Sequence, residues 1–240
     1  MKNERLEILL GKEKMEALSR KCVAVFGIGG VGSYAAEALA RTGIGRLILV
    51  DFDTVSESNL NRQVIALRST IGKRKTGVMK ERIKDINPEC EVIEYPLFIN
   101  TQTIEEILKE KIDAAVDAID VLTSKAELIK KLAEKKIPFI SSLGMGGRMD
   151  PTKIEITTLD KTNYDRLAKA LRKILRDEGL SLKIPVVFSK EETHGKTGKD
   201  ETGNTRKEKN PIGSSIFVPA AAGLSAASYI VRVLNEGAAG

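Results

Sequence analysis

Hydrophobic residues in the first part of the chain alternate between short continuous runs and helical spacing. Two apolar runs, Cys22 to Ile28 and Arg46 to Val50, flank an Ala-rich segment from Ser33 to Arg41 that stops before Gly43. Short β-branched runs are typical of buried parallel strands, and the segment between them is typical of a helix. The pattern therefore predicts a strand, a glycine-containing turn, a helix and a second, parallel strand.

The same alternation continues as far as residue 143. It predicts, in chain order, a helix over Lys73 to Ile86, a strand over Glu91 to Tyr95, a helix over Thr103 to Glu110, a strand over Ala114 to Ile119, a helix over Lys125 to Lys135 and a strand over Phe139 to Leu143. Strands that alternate with helices in this way indicate an α/β fold with a Rossmann-like, doubly wound and mainly parallel sheet.

The pattern changes at the turn-forming residues Gly144 to Gly147. Beyond them, Lys153 to Leu159 alternates apolar and polar positions and is expected to extend the sheet as an antiparallel strand. Tyr164 to Asp177 has helical spacing, a mobile loop is predicted over about 189–210, and a buried C-terminal helix is predicted to begin near Pro219. We expect one domain over 1–240, with a nucleotide-binding half over about 20–143 and a substrate half over about 144–240.

Composition narrows the possible functions. With 39 Lys and Arg against 33 Asp and Glu, the net charge is +6, which is compatible with an anionic ligand or a nucleic acid. Cys22 and Cys90 form neither a CxxC pair nor a disulfide framework, which argues against a cysteine-ligated zinc site and a secreted fold. The N-terminal residues lack a signal-peptide pattern, and polar residues interrupt the apolar stretch after Ile212. We therefore expect a cytoplasmic protein without stable membrane insertion.

Gly27, Gly29 and Gly32 form a G-x-G-x-x-G motif between the first predicted strand and helix. Such glycines permit a tight turn, a close approach of phosphate to the backbone, and close packing of the helix. Asp51 ends the second strand, where a carboxylate accepts hydrogen bonds from ribose hydroxyls. The motif predicts an adenine nucleotide without choosing among NAD, FAD, SAM and ATP, and a turn that merely connects strand and helix is the alternative.

Residues after Asp51 distinguish among these ligands. A dinucleotide dehydrogenase needs few cations here, because helix amides hold its pyrophosphate. In this chain a polar stretch is followed by Arg62 and Lys75, which are typical of groups that hold a triphosphate. A solvated lysine on the surface of a helix is the alternative for Lys75.

Three segments together resemble the ubiquitin-activating-enzyme superfamily of ATP-dependent adenylyltransferases: G-I-G-G-V-G at 27–32, D-F-D-T-V-x-x-S-N-L-N-R-Q at 51–63 and V-D-A-I-D at 116–120. The resemblance implies ATP and Mg²⁺ as cofactors, with Asp120 as the Mg²⁺ ligand; Asp117 is the weaker metal candidate, and a buried, paired carboxylate is its alternative role. The nucleotide-binding residues that it implies are Gly27, Gly29, Gly30, Gly32, Asp51, Asp53, Asn59, Arg62, Gln63, Lys75, Asp120 and Val121.

Segments outside the nucleotide motifs resemble one branch, the tRNA threonylcarbamoyladenosine dehydratases. They are R-x-x-x-L-L-G at 5–11, S-S-L-G-M-G-G-R-M-D-P at 141–151, I-P-V-V-F-S at 184–189 and G-S-S-I-F-V-P-A at 213–220. This resemblance implies ATP-dependent cyclisation of threonylcarbamoyladenosine in tRNA, in which a carbamoyl group of the substrate displaces AMP from an acyl-adenylate. It implies catalytic roles for Arg62, Lys75, Asp120 and Arg5, the last reaching the partner's site in a homodimer.

A tRNA substrate calls for a basic surface. Residues 161–183 hold seven Lys and Arg against three Asp and Glu, a net charge of +4. Phosphate contact and a merely solvated helix face are both compatible with this charge. His194 lies in the predicted loop and receives no catalytic role.

Several alternatives stay open at this point. An activator of a ubiquitin-like or sulfur-carrier protein is opposed by the missing zinc cysteines, and a nicotinamide-dependent oxidoreductase is opposed by Asn59, Arg62 and Lys75. A nucleotide-sensing module without catalysis is the third alternative. The sequence also leaves open a cysteine-desulfurase or sulfur-acceptor system as a partner, and a monovalent cation near the Gly144 to Gly147 turn.

Overall fold

The computed structural model describes residues 4–193 and 213–236. The strands are β1 (Cys22–Phe26), β2 (Arg46–Val50), β3 (Glu91–Tyr95), β4 (Ala114–Asp117), β5 (Phe139–Ser142), β6 (Ile154–Thr158) and β7 (Pro185–Ser189). The helices are α1 (Glu4–Leu10), α2 (Lys12–Leu18), α3 (Gly32–Arg41), α4 (Lys75–Ile86), α5 (Thr101–Ile107), α6 (Leu122–Glu134), α7 (Arg166–Asp177) and α8 (Phe217–Glu236).

The strands form one sheet in the order β3-β2-β1-β4-β5-β7-β6. All neighbours are parallel except β6 and β7, which are antiparallel. The predicted doubly wound, mainly parallel sheet with an antiparallel extension is therefore confirmed. Strand order reverses between β1 and β4, and at such a point the loops at the carboxyl ends of the strands diverge and leave a crevice for a ligand.

One strand was not predicted. The pattern assigns Ser189 to a mobile loop, but Ser189 ends β7 and is fully buried, so this boundary of the predicted loop is wrong. The apolar centre of β7 is only Val186 to Phe188, too short a run for periodicity to separate a strand from a loop. The part of the predicted loop from residue 194 onward, His194 included, lies outside the described residues.

Helices cover both faces of the sheet. On one face, α3 and α8 pack so closely that a Cβ atom on Gly223 would lie 2.3 Å from the carbonyl oxygen of Val31. α8 is long and apolar enough to span a membrane, yet half of its apolar window is buried inside the protein. Ala222, Ala226 and Ile230 are fully buried, which confirms the predicted buried C-terminal helix. α5, α6 and α7 cover the other face around a second apolar cluster.

The N-terminal helix α1 is packed differently. None of its residues is buried, and Ile8 and Leu9 are 85% and 77% exposed. Two large apolar side chains in solvent on one short helix are unusual for an isolated chain.

Candidate active site

The glycine turn joins β1 to α3 at the switch point of the sheet. Gly27 has φ 88° and donates its amide to the carbonyl of Val50 at 2.7 Å. A Cβ atom on Gly32 would lie 1.7 Å from the carbonyl oxygen of Gly27, so the turn itself requires both glycines. A Cβ atom on Gly29 would meet nothing closer than Gln63 Nε2 at 3.8 Å. The backbone at Gly29 is therefore open to a ligand.

Asp51 connects the end of β2 to this turn. Its Oδ2 accepts the amide of Ile28 at 2.6 Å, and its Oδ1 accepts the amide of Asp53 at 2.8 Å. Burial raises the pKa of the Asp51 carboxyl above its ordinary value, while Lys75 and the two backbone donors oppose that rise. These bonds fix the carboxylate at the edge of the crevice; its ribose contact stays a prediction.

Lys75 is a buried cation at the start of α4. It is 5% exposed, and its Nζ lies 2.7 Å from Asp53 Oδ2. A freely solvated lysine is therefore excluded. The Asp53 side chain is 45% exposed, so the pair has one side that solvent or a ligand reaches. A phosphate entering there would find a fixed ammonium group that has already lost most of its water.

Arg62 provides the second cation of the crevice. A Cβ atom on Gly30 would lie 3.6 Å from Arg62 Cγ, so the side chain runs along the glycine turn. Its Nη1 donates to the carbonyl of Ser58 at 2.7 Å and to Asn61 Oδ1 at 3.0 Å. Among the described residues no carboxylate pairs with Arg62, which leaves its charge for an anionic ligand.

Two buried amides complete this side of the crevice. Asn59 Oδ1 accepts the amide of Ser56 at 3.1 Å and so shapes the loop that carries Arg62. Gln63 is 6% exposed, and within the described protein its Oε1 has no hydrogen-bond partner. An unpartnered buried amide beside the open backbone of Gly29 fits a polar ligand such as a nucleotide.

The two carboxylates of V-D-A-I-D have different surroundings. Asp117 is fully buried, and its Oδ2 accepts from Lys125 Nζ at 2.7 Å and from Ser141 Oγ at 2.6 Å. It is therefore the buried, paired carboxylate of the alternative interpretation. Asp120 is exposed beyond the end of β4, next to Val121, and the intervening Ala118 packs against Gly27.

The surroundings of Asp120 fit a magnesium ion that arrives with ATP. No group of three or more His, Cys, Asp or Glu residues is arranged around a metal position in the described part of the chain. Mg²⁺ commonly needs no such cage, because one or two carboxylates, water and substrate phosphates complete its coordination. At the Gly144 to Gly147 turn, the amide of Gly144 donates to Asp165 and that of Gly147 donates to the carbonyl of Gly213; a monovalent cation near this turn stays a prediction.

Sequence reasoning missed two groups of residues near the site. Phe52 and Phe98 are 55% and 45% exposed, with ring centroids 5.1 Å apart, and they form an apolar face beside Asp51. The only sequence signal for the first ring was the position of Phe52 directly after Asp51 in the D-F-D segment. Lys125 and Ser141 were missed because they approach Asp117 from a different helix and strand, and local spacing carries no signal of that pairing.

Both cysteines are buried, as the sequence predicts. Burial raises the pKa of the Cys22 thiol to about 12 and that of the Cys90 thiol to about 11. A thiol with such a pKa is not a nucleophile at neutral pH.

We expect a double variant, Cys22→Ala with Cys90→Ser, to keep wild-type turnover, because neither thiol ionises. Its stability should fall by about 1–3 kcal/mol through the changed packing. Pyrophosphate release and thermal unfolding check the two expectations. If the double variant is folded at the assay temperature but inactive, one of the thiols takes part in the reaction.

Comparison with known proteins shows which proteins this chain resembles. The profile of the ThiF family matches residues 3–237. A tRNA threonylcarbamoyladenosine dehydratase of Bacillus subtilis is 44% identical over 237 residues, which cover 96% of this chain and 93% of that protein. Its Escherichia coli counterpart is 44% identical over 170 residues, 71% of this chain and 63% of that protein.

Solved structures agree with the sequence comparison. The E. coli tRNA N6-threonylcarbamoyladenosine dehydratase TcdA in complex with AMP superposes with a TM-score of 0.90 at 36% identity, over 99% of this chain and 95% of that one. The same enzyme in complex with ATP gives a TM-score of 0.88 at 36% identity, over 98% and 94% of the two chains.

Proposed function

The chain belongs to the ThiF family, and we infer that it catalyses the ATP-dependent dehydration of threonylcarbamoyladenosine in tRNA. The observation that carries this inference is the pair of cations in the crevice: Lys75 is buried at its edge, and Arg62 lies along the glycine turn. Two fixed cations suit a triphosphate whose charge shifts during transfer. A nicotinamide cofactor needs fewer cations, because helix amides hold its pyrophosphate. The dehydratase of B. subtilis, 44% identical over nearly the whole chain, supports the same reaction.

The first step activates the substrate. The threonyl carboxylate, ionised at neutral pH, attacks the α-phosphate of ATP; a new P–O bond forms, and the bond to pyrophosphate breaks. We propose that Arg62, Lys75 and the amide of Gly29 hold the phosphates, and that Asp51 holds the ribose. Their support is the open backbone at Gly29 and the buried ammonium of Lys75. We place Gly27, Gly30, Gly32, Asp53, Asn59, Gln63 and Val121 around the same nucleotide.

The second step closes a ring. The carbamoyl group attacks the activated carboxyl carbon, the bond from that carbon to the AMP oxygen breaks, and a proton is released. Together the two steps remove the elements of water from the substrate and convert ATP to AMP and pyrophosphate. Since both reacting groups belong to one side chain, proximity replaces a covalent enzyme intermediate. Cys22 and Cys90 can therefore remain ordinary core residues.

We propose Asp120 as the residue that would hold Mg²⁺ together with the ATP phosphates. Bound there, the ion would neutralise charge on the phosphates. Asp120 is exposed and close in sequence to the turn that packs on Gly27, which supports this role. Asp117 cannot share it, because Lys125 and Ser141 occupy its carboxylate.

Further expectations concern partners and location. The seven cations of residues 161–183 are proposed as part of the tRNA surface, and the cytoplasm is the expected compartment. A cysteine-desulfurase or sulfur-acceptor system stays an open partner, but neither buried cysteine of this chain is placed to accept sulfur from it.

Pyrophosphate release tests the proposed function. Release should require tRNA that carries threonylcarbamoyladenosine, and mass spectrometry should show that the nucleoside has lost one water. Unmodified tRNA is the matched control. Release with a ubiquitin-like or sulfur-carrier protein in place of tRNA would contradict the proposal, as would reduction of a nicotinamide nucleotide.

We also propose that the enzyme is a homodimer in which Arg5 serves the partner's site. The exposed Ile8 and Leu9 on the same helix support an interface there, and Arg5 pairs with no carboxylate among the described residues. A second copy would cover these apolar side chains and fix the position of the arginine.

Mixing Arg5→Ala chains with Lys75→Ala chains should restore activity, although each variant alone is inactive. A heterodimer has one intact site, because the two residues of that site come from different chains. We expect roughly half of the wild-type activity per heterodimer. Subunit exchange is checked with two affinity tags, and exchange without recovered activity would show that Arg5 does not act in trans.

A further inference from the structure

A second cleft, of about 380 Å³, lies at the N-terminal end of α7, outside the nucleotide crevice. It is lined by Tyr164, by the cations Arg166, Lys169 and Arg172, and by the acidic residues Asp165 and Glu192. Arg166 and Lys169 are exposed and have no ion-pair partner within the described chain. Arg172 donates from Nη1 to the carbonyls of Leu159 and Thr162 at 3.2 and 3.1 Å. The cleft therefore has three cations against two carboxylates, and because Asp165 already pairs with the buried Arg148 at 3.6 Å, positive charge predominates.

Tyr164 presents an aromatic ring to this cleft. It is 60% exposed and has φ 50°, a backbone conformation that aromatic residues seldom adopt. The carbonyl of Tyr164 accepts a hydrogen bond from Arg148 Nη2 at 3.1 Å, and Arg148 Nε donates to the carbonyl of Glu191 at 2.9 Å. Arg148 is itself only 2% exposed. A buried guanidinium thus helps to hold a strained residue whose ring remains in solvent, and such strain is concentrated at functional sites.

The cleft lies beside the same edge of the sheet as the nucleotide crevice. Asp165 caps α7 by accepting the amide of Ala168 at 2.8 Å, and its Oδ2 accepts the amide of Gly144 at 3.0 Å. Gly144 follows the carboxyl end of β5, and β5 pairs in parallel with β4, which leads to Asp120. Both places therefore lie at the carboxyl ends of neighbouring parallel strands.

We propose, building on the proposed function, that this cleft binds a nucleotide of single-stranded RNA next to the modified adenosine. The base stacks on the ring of Tyr164, and the flanking phosphates contact Arg166 and Lys169. Sequence-tolerant binding of unpaired nucleotides uses this combination of an aromatic platform with cations along the backbone. The Glu192 carboxylate can accept a hydrogen bond from an exocyclic amino group of the base. An inorganic phosphate has no amino group and cannot make this contact.

The test measures RNA binding directly, without ATP. The probe is a fluorescein-labelled stem-loop RNA with an unpaired loop, and anisotropy gives its Kd for the full-length protein. Tyr164→Gly removes the ring and suits the positive φ, and we expect its Kd to rise about ten-fold. Tyr164→Phe keeps the ring and should bind within about two-fold of wild type, as stacking requires.

The charge is tested by a second pair of variants. Lys169→Glu should weaken binding and lower the dependence of log Kd on log salt, because fewer counterions are released. Lys135→Glu changes the net charge equally. Lys135 follows α6 and lies before the amino end of β5, whereas the cleft lies at the carboxyl end of that strand, so this variant should bind RNA as wild type does. In the full reaction, Tyr164→Gly should raise KM for modified tRNA while kcat and the Kd for ATP stay constant.

The outcomes separate this proposal from the proposed function. If wild type releases pyrophosphate with modified tRNA but Tyr164→Gly and Lys169→Glu bind the stem-loop normally, the cleft proposal is wrong and the reaction stands. If wild type binds the stem-loop through Tyr164 but does not react with modified tRNA, the proposed function is wrong and the cleft stands. A wild-type protein that does not bind the stem-loop overturns the cleft proposal.

Discussion

Lys75→Ala is expected to lower kcat for pyrophosphate release by about a hundred- to a thousand-fold, the range found when one preorganised group that stabilises developing charge is removed. Lys75 is 5% exposed and its Nζ is held 2.7 Å from Asp53 Oδ2, so the variant loses a preorganised charge that mobile water does not restore. Arg62→Ala should have an effect of similar size, because the Arg62 side chain runs along Gly30, beside the proposed phosphate position.

Both variants should remain folded. The Asp53 carboxylate that loses its partner is 45% exposed and becomes solvated. Lys73→Ala and Arg68→Ala are the matched controls, since both side chains are exposed cations in the same part of the chain. Steady-state kinetics and thermal unfolding measure the effects. Turnover within a few-fold of wild type in both Lys75→Ala and Arg62→Ala would remove these residues from the catalytic machinery.

The second large effect is expected from alanine at two glycines of the same motif. One substitution should destabilise the fold, and the other should weaken ATP binding. In Gly32→Ala the new methyl would lie 1.7 Å from the carbonyl oxygen of Gly27. Because that oxygen belongs to the backbone, relieving the clash would require the turn itself to shift. We expect a loss of about 4 kcal/mol or more in the free energy of unfolding, or a failure to fold. In Gly29→Ala the methyl would meet no protein atom closer than 3.8 Å, so the fold should persist.

For Gly29→Ala we expect ATP affinity to fall about a hundred-fold, because the methyl occupies the space that the phosphate needs beside the backbone. Gly77→Ala is the control: it makes the same change within α4, where the new methyl meets only Glu94 Oε2 at 3.6 Å. Calorimetric titration with ATP and thermal unfolding distinguish the two glycines. Normal ATP affinity in Gly29→Ala would mean that the phosphates lie elsewhere.

The sequence by itself determined most of the succession of elements from β1 to α8, together with the glycine turn at which we propose the nucleotide binds. Strands β2 and β3 have the predicted bounds, and the other predicted helices and strands begin within three residues of their predicted starts. The prediction of elements succeeds because the buried face of each helix or strand recurs with a fixed period. That period is visible in the hydrophobic pattern of consecutive residues. The motif around Gly27 to Gly32 was equally readable, since backbone geometry requires glycine at both Gly27 and Gly32, within six residues.

Only the tertiary structure decided which charged side chains are buried and paired. Asp117 meets Lys125 from α6 and Ser141 from β5, a result that distinguishes it from Asp120 three residues later. Arg148, at 2% exposure, holds the carbonyl of Tyr164 in the same way from a distant turn.

The tertiary structure also decided the order of the strands and the exposure of α1. β7 lies between β5 and β6 although it is the last strand in sequence, and a neighbouring strand on each side covers its short apolar centre. These features depend on contacts between segments that are far apart in sequence. The free energy of such contacts depends on which segments the sheet brings together, and local spacing does not encode it. Periodicity reports that a residue is buried, and the assembled sheet determines which residue it contacts.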